Sequence, residues 1–200
     1  MKNYKEETIN AYDSDPSFFE SKFSRLTDLT RRQEFEKFSS LLVGKKILDL
    51  GCGAGDHSVY FKNHGFDITW VDLSKEMIKK CKEKGLNAVI MDMEHLDFPS
   101  HSFDGIWAVS SLLHIPKDKL KSVLKKIRTI LKVDGILYVS FKEGEGEKFI
   151  EFKSDWKRFF SLFSKDELLS YFKEDFDLIE FHRIESEGRI FLKAFFKKKD

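Results

Sequence analysis

The sequence predicts a three-layer α/β domain. Its centre is a seven-stranded, mostly parallel sheet with helices on both faces, preceded by a helical N-terminal cap and closed by an antiparallel C-terminal hairpin. Three observations carry this expectation. Strand and helix patterns alternate regularly from Lys46 to Phe141, as parallel sheets with crossover helices require. Residues 1–45 show helical spacing only. After residue 150 the alternation stops, and two β-rich runs meet at Glu187-Gly188.

In the cap, Phe18, Phe19, Lys22, Phe23 and Leu26 recur on one helical face, and Phe35, Phe38, Leu41 and Leu42 on another. The sheet domain then opens at residue 46 and runs to 200. Lys46-Ile47-Leu48-Asp49-Leu50 is a short apolar strand that ends in a glycine cluster, and a helix is expected from about Gly55 to Asn63. Asp67 to Asp72 is a second strand, rich in β-branched and aromatic residues. Ser74 caps a helix that buries Met77, Ile78 and Cys81 and runs to about Lys84. Asn87–Met91 and Phe103–Val109 are the third and fourth strands. Pro116 opens an amphipathic helix through Leu131, since proline suits a first helical turn. Gly135–Phe141 is the fifth strand. Ser164-Lys165-Asp166-Glu167 is a capping box for a helix ending near Phe172, and Phe176–Ser186 with Arg189–Lys198 forms the hairpin. Residues 142–163 stand apart as a lid-like insertion.

Composition narrows the class. A charged share of 34% beside a hydrophobic share of 41% is that of an ordinary globular domain. The formal net charge of +1 gives no global pull towards nucleic acid or an acidic membrane, and Lys197-Lys198-Lys199 reads as a solvated tail. No apolar run approaches the roughly 20 residues needed to span a bilayer, and the polar N-terminus does not resemble a signal peptide. Cys52 and Cys81 lie in unrelated contexts without metal-ligand spacing, which suits a reduced, cytoplasmic setting. No metal site is expected.

The chemistry centres on Asp49-Leu50-Gly51-Cys52-Gly53-Ala54-Gly55. Strand, glycines, then helix brings bare backbone close to a ligand at a helix N-terminus. The dinucleotide fingerprint GxGxxG places its third glycine three residues after the second; here the glycines are 51, 53 and 55. A phosphate-binding loop would need Gly-Lys-Ser/Thr, which is absent. Asp49 is ill placed beside a pyrophosphate and suits a ligand with an ammonium or sulfonium centre. Asp72, 21 residues after Gly51, ends the second strand where a carboxylate accepts from both ribose hydroxyls. Asp92 follows the third strand, placed to accept the adenine amino hydrogen while Met93 covers the ring.

These segments, with Val71-Asp72-Leu73-Ser74, Phe103–Trp107 and Leu131–Phe141, resemble the class I S-adenosylmethionine-dependent methyltransferases over roughly residues 8 to 182. Ser111–Pro116 and Phe141–Glu147 point to the small bacterial and archaeal type. The resemblance implies a Rossmann-like sheet and S-adenosylmethionine as cofactor. It implies that Asp49, Gly51 and Gly53 surround the methionine part, Asp72 holds the ribose, and Asp92 and Met93 contact the adenine. Ser110 would lie under the sulfonium. Cys52, Gly55 and Leu73 complete the expected cofactor set, and Tyr12 either closes over it from the cap or simply packs there. The chain departs from the family at Val133-Asp134-Gly135, where relatives often carry Pro-Gly-Gly, and at His57, where they often carry an acid.

His114 follows the fourth strand and is the candidate general base, since imidazole titrates near working pH; the alternative is that it orders the loop before Pro116. Arg25, Arg31 and Arg32 are either clamps for a carboxylate or helical surface charge. Phe149, Phe152, Trp156, Arg158, Phe159, Phe160 and Phe163 form either an apolar lid for a hydrophobic or aromatic small-molecule acceptor, or plain packing. Glu143, Glu145 and Glu147 are an acidic rim or a solvated loop. The expected reaction is methyl transfer to an O or N atom of a small molecule, by a monomer or homodimer with no membrane or nucleic-acid partner. RNA or protein methylation, non-catalytic S-adenosylmethionine binding and nicotinamide-dependent oxidoreduction stay open as rivals.

Overall fold

The computed structural model describes residues 3–24, 29–153, 155–186 and 188–199. Arg25, Leu26 and Glu187 lie outside the described residues, as do the side chains of Phe23 and Arg31. Three helices form the N-terminal part: α1 (Tyr4–Ser14), α2 (Pro16–Ser24) and α3 (Leu29–Leu41). The sheet domain then alternates β1 (Lys46–Leu50), α4 (Val59–Asn63), β2 (Asp67–Asp72), α5 (Lys75–Glu83), β3 (Ala88–Ile90), β4 (Phe103–Val109), α6 (Lys117–Ile130) and β5 (Leu131–Lys142). The chain ends with β6 (Glu147–Lys153), β7 (Trp156–Ser161), α7 (Lys165–Phe172), β8 (Phe176–Ser186) and β9 (Arg189–Lys198).

The large sheet has the order β3-β2-β1-β4-β5-β9-β8. The first five strands are parallel, as the alternation predicts. The C-terminal hairpin joins through its second strand: β9 pairs antiparallel with both β5 and β8, so β8 again runs with the parallel set. The strand order reverses between β1 and β4, and in open α/β sheets that switch is where ligands bind.

Period-two alternation divides the core between the two faces. Leu48, Leu50, Ile106, Ala108, Leu137 and Val139 pack towards α6 and α7. Ile47, Trp107, Ile136 and Tyr138 face the α3 and α4 side, where Phe35, Phe38 and Phe61 each lie 5.1–5.4 Å from a neighbouring ring. Within this aromatic layer Trp107 stacks on Tyr138 at 4.2 Å. In the cap, Phe19 is buried whereas Phe18 is 43% exposed, so only one of the pair faces inward. Ser74 and Ser164 act as predicted, accepting hydrogen bonds from Met77 N and Glu167 N.

Four local expectations change. Helix α4 begins at Val59, because Gly55 to Ser58 form turns that close the glycine loop. β5 starts at Leu131, paired with Phe103, rather than at Gly135. Within it Asp134 adopts φ +62°, a conformation that favours glycine, and its carboxylate meets Lys197 at 2.6 Å. The lysine run is no tail: Lys198 is buried at the end of β9, and its Nζ donates to Leu131 O. Residues 147–161 form a second, two-stranded sheet. That sheet packs on α1, where Phe159 N donates to Thr8 Oγ1 at 3.0 Å.

Candidate active site

The carboxyl ends of β1, β2, β4 and β5 open onto a cavity of about 330 Å³, roofed by α1 and β7. Gly51, Cys52 and Gly53 form its floor. Gly51 N and Cys52 N both donate to Val71 O, which folds the loop back over β2. Gly51 has φ +77°, and a Cβ there would lie 2.3 Å from Ser111 Cβ, so this close approach of β1 and β4 demands glycine. At Gly53, φ is +54° and an added Cβ would meet nothing within 4 Å. The space above Gly53 is therefore a cradle.

Asp72 stands beside it. Its Oδ2 accepts from Gly53 N at 2.8 Å and its Oδ1 from Ser74 N at 2.9 Å. An ionised carboxylate offers about four acceptor positions, so two remain for a ligand diol. Burial pushes the Asp72 carboxyl up, while the Ser74, Gly53 and Leu73 amides pull the other way. Ser110, at the end of β4, holds φ +52° and lines the cavity. A non-glycine residue in that region is strained, and such strain gathers at functional sites. Beside it, Ser111 Oγ is buried without a hydrogen-bond partner among the described residues.

Helix α1 covers the far end. Tyr4, Lys5, Thr8, Ile9 and Tyr12 repeat at helical spacing and line the cavity. Lys5 Nζ lies 2.5 Å from Asp92 Oδ2 and 2.8 Å from Glu94, and Tyr4 OH donates to Glu94. Asp92 Oδ1 caps the 3₁₀ turn Met93–His95 through Glu94 N. Burial works against ionisation of Asp92, yet Lys5 and the Glu94 amide hold its carboxyl below the ordinary range. Asp92 is thus the post on which α1 is tied, as well as a cavity wall.

At the opposite corner His114 is half-buried between two partners. Its Nδ1 lies 2.6 Å from Phe159 O, and a carbonyl accepts only, so Nδ1 carries the hydrogen. Nε2 then accepts from Tyr12 OH at 2.9 Å. Arg158 Nη1 donates to the same Tyr12 oxygen at 3.3 Å. Burial, aided by the charges of Arg158 and Lys142, pushes the imidazole down to about 3. Lys142 Nζ sits 4.0 Å over the Phe160 ring. Burial first, then Arg158, Arg189 and Lys22, pushes its ammonium down to about 7.

Ten of the twelve residues expected at the site line this cavity: Tyr12, Gly51, Cys52, Gly53, Asp72, Leu73, Asp92, Met93, Ser110 and His114. Gly55 does not. A Cβ at Gly55 would press on Leu86 and Cys81, so it seats the turn on the core rather than on a ligand. Asp49 is buried behind the glycine turn, not in the cavity wall, because alternation along β1 points it to the Trp107 face. Its Oδ2 lacks a hydrogen-bond partner among the described residues, and burial pushes its carboxyl up to about 7. The folded form therefore holds a proton that the unfolded chain loses above about pH 4. Stability from this group is full below that pH and is lost as pH rises through 7. Asp49→Asn is accordingly expected to raise the apo-protein melting temperature near pH 8, by the equivalent of roughly 1–2 kcal/mol, with the gain vanishing near pH 4. Thermal scans across pH check this; a gain equal at both ends would contradict it.

The insertion residues divide. Phe160 and Arg158 line the cavity, whereas Phe149, Phe152, Trp156, Phe159 and Phe163 do not. Phe152 packs on Phe18 and Phe19, and Phe163 on Phe141 and Tyr171. Most of these rings thus anchor the hairpin. Glu143 pairs with Arg183, and Glu147 accepts from Lys117 N and Ser161 Oγ, so neither forms an open acidic rim. Arg32 is a surface residue paired with Glu36. Cys52 and Cys81, unrelated in sequence, lie with their Sγ atoms 3.9 Å apart, both free thiols. Among the residues that sequence reasoning missed are Tyr4, Lys5, Thr8 and Ile9, whose spacing was legible, and Lys142, Arg189 and Phe191, which only the tertiary fold brings in.

Residues 47–135 match the family described as a methyltransferase domain. The chain is 32% identical over 107 residues to 2-methyl-6-phytyl-1,4-hydroquinone methyltransferase of Synechocystis sp., covering 50% of this chain and 33% of that protein. It is 34% identical over 110 residues to a ubiquinone biosynthesis O-methyltransferase of Actinobacillus pleuropneumoniae, covering 50% and 46%. The chain thus spans less than half the length of these two curated relatives. Among solved structures, an S-adenosylmethionine-dependent methyltransferase from Clostridium acetobutylicum superposes with a TM-score of 0.74 at 17% identity, covering 96% of this chain and 100% of that one. The 1,6-didemethyltoxoflavin-N1-methyltransferase of Burkholderia thailandensis gives 0.71 at 22%, covering 96% and 88%. At those identities the likeness is one of fold.

Proposed function

We propose that this chain, which belongs with the class I S-adenosylmethionine-dependent methyltransferases through its methyltransferase domain at residues 47–135, transfers a methyl group to an O or N atom of a small molecule bound beside His114. The observation that carries the reading is the pairing of an open cradle at Gly53 with a half-buried carboxylate, Asp72, that has acceptor capacity to spare.

The residues fit the cofactor. Asp72 is assigned to the ribose hydroxyls and Gly51 to Gly53 to the methionine backbone. Asp49, with its unpartnered Oδ2, is assigned to the ammonium, acting from behind the loop. Met93 and Asp92 flank the adenine side, and α1 closes over it with Tyr12. S-adenosylmethionine, when bound, supplies a methyl carbon already activated by its sulfonium. The chain's own contribution is then alignment, which is worth several kcal/mol when reacting atoms are held in line.

His114 is assigned to the acceptor. Phe159 O fixes its tautomer, so Nε2 presents a lone pair into the cavity. An acceptor hydroxyl or amine takes the place of Tyr12 OH there, and the hydrogen bond points its own lone pair towards the methyl. An imidazole pushed down to about 3 orients the nucleophile and passes the proton released on methylation to water rather than storing it. The curated relatives act, by name, in hydroquinone and ubiquinone-pathway methylation, which supports a small ring compound as acceptor. Incubation with methyl-labelled S-adenosylmethionine and a panel of small hydroxylated ring compounds tests this. Acceptor-dependent formation of S-adenosylhomocysteine is expected. Binding of the cofactor without turnover on any acceptor would favour a non-catalytic binding protein.

A further inference from the structure

The cavity is electrically polarised. Asp56, Asp72 and Asp92 line the end that holds the glycine turn and α1; Asp56 is paired with Lys84 and Asp92 with Lys5, so Asp72 is the carboxylate there without a cationic partner among the described residues. Lys142, Arg158 and Arg189 line the end beyond His114, with Lys22 close enough to act on Lys142. Glu185, exposed near the mouth, is the carboxylate on that side. Lys193 also lines the cavity but is neutralised by Glu34.

Two of these cations are unusual in what they lack. The Arg158 guanidinium lies among four rings, 5.1–5.6 Å from the centres of Tyr12, Phe19, Phe152 and Phe160. Its Nη1 reaches Tyr12 OH, while its Nε is buried with no hydrogen-bond partner among the described residues. Lys142 Nζ rests on the Phe160 ring at 4.0 Å, and among the described residues no carboxylate pairs with either group. Like charges gathered in a half-buried pocket repel, and each buried donor left unbonded is costly. An arrangement of this kind is relieved by an anion, and a guanidinium fork with a neighbouring ammonium matches a carboxylate well.

We propose that this corner seats an anionic oxygen group carried by the acceptor, so that the methyl acceptor is a small planar acid, its ring against Phe160 and its acid group on Arg158 and Lys142. The assignment rests on the methyl-transfer reading of the cavity. Arg158 and His114 share Tyr12, which puts the anchored acid next to the atom to be methylated. Held at two points, the ring cannot turn its nucleophile away from the methyl.

Protein saturated with S-adenosylhomocysteine and titrated with 4-hydroxybenzoate or its neutral isostere 4-hydroxybenzamide provides the test. The acid is expected to bind about tenfold or more tightly than the amide, a difference of ~1.4 kcal/mol. Lys142→Met, which keeps the packing on Phe160, and Arg158→Gln are each expected to bring the two probes to near-equal affinity. Affinity for S-adenosylhomocysteine is expected to stay within about twofold in both. Equal binding of acid and amide to the unmodified protein, or no binding of the acid at millimolar concentration, would overturn the proposal. So would an acid preference that survives in folded Lys142→Met. A roughly tenfold loss of S-adenosylhomocysteine affinity in the variants would instead place the cofactor's own carboxylate at this corner. Failure of the unmodified protein to bind S-adenosylhomocysteine would sink the methyl-transfer reading itself, and the first titration step detects that separately.

Discussion

Asp72→Ala is expected to weaken S-adenosylhomocysteine binding by roughly 1–3 kcal/mol, a loss of about tenfold to more than a hundredfold, while the protein stays folded. The carboxylate does two things at once. It accepts from Gly53 N and Ser74 N, which fixes the cradle and the start of α5, and it keeps two acceptor positions for a ligand diol. Alanine removes both, leaving the Gly53 amide unpaired at the floor of the cavity. Asp72→Asn, which keeps one acceptor oxygen, is expected to fall between. Calorimetric titration of both variants checks the order. Affinity unchanged in a folded Asp72→Ala protein would remove this residue from the ligand site.

The second large effect is on stability. Glu34, on α3, meets Lys193 on β9 and accepts from Tyr138 OH at 2.6 Å; Glu34 and Lys193 are each less than a tenth exposed. Burying two charges yields little net stability, but removing one partner leaves the other uncompensated. Glu34→Ala is therefore expected to cost about 3–5 kcal/mol, and at roughly 2–4 °C per kcal/mol for a domain of this size the melting point falls markedly. Glu34→Gln keeps acceptors for Tyr138 and Lys193 and is expected to cost less. A loss under about 0.5 kcal/mol in chemical denaturation would mean that Lys193 escapes to water through the cavity it lines.

Much of this was legible in the sequence because local pattern and tertiary outcome agreed. β1, β2 and β4 are apolar runs that end at ligand-facing residues, and the glycine turn with Asp72 follows from backbone sterics and strand ends alone. Where the reading fell short, the deciding interaction was distant in sequence. Asp49 has the spacing of a ligand residue, but strand alternation buries it behind the glycine turn, a placement that spacing does not announce. The lysines at 197–199 look solvated until β9 is wedged between β5 and β8, where Lys198 finds the Leu131 carbonyl. The rings of 149–163 suggest a lid or plain packing; five of the six lie outside the cavity, and the residue that reaches it beside Phe160 is the cation Arg158. Nothing near Lys142 or Arg189 in the chain announces that they face one another. No helix among the described residues is long and apolar enough to cross a membrane.

The account turns on one ligand, and calorimetric titration of the purified protein with S-adenosylhomocysteine tests it most directly. Saturable one-to-one binding with a dissociation constant in the micromolar range or below is the predicted result, corresponding to about −8 kcal/mol or better. No binding by folded protein would mean that the Gly53 cradle and Asp72 serve another ligand, and the proposed methyl transfer would fall with it.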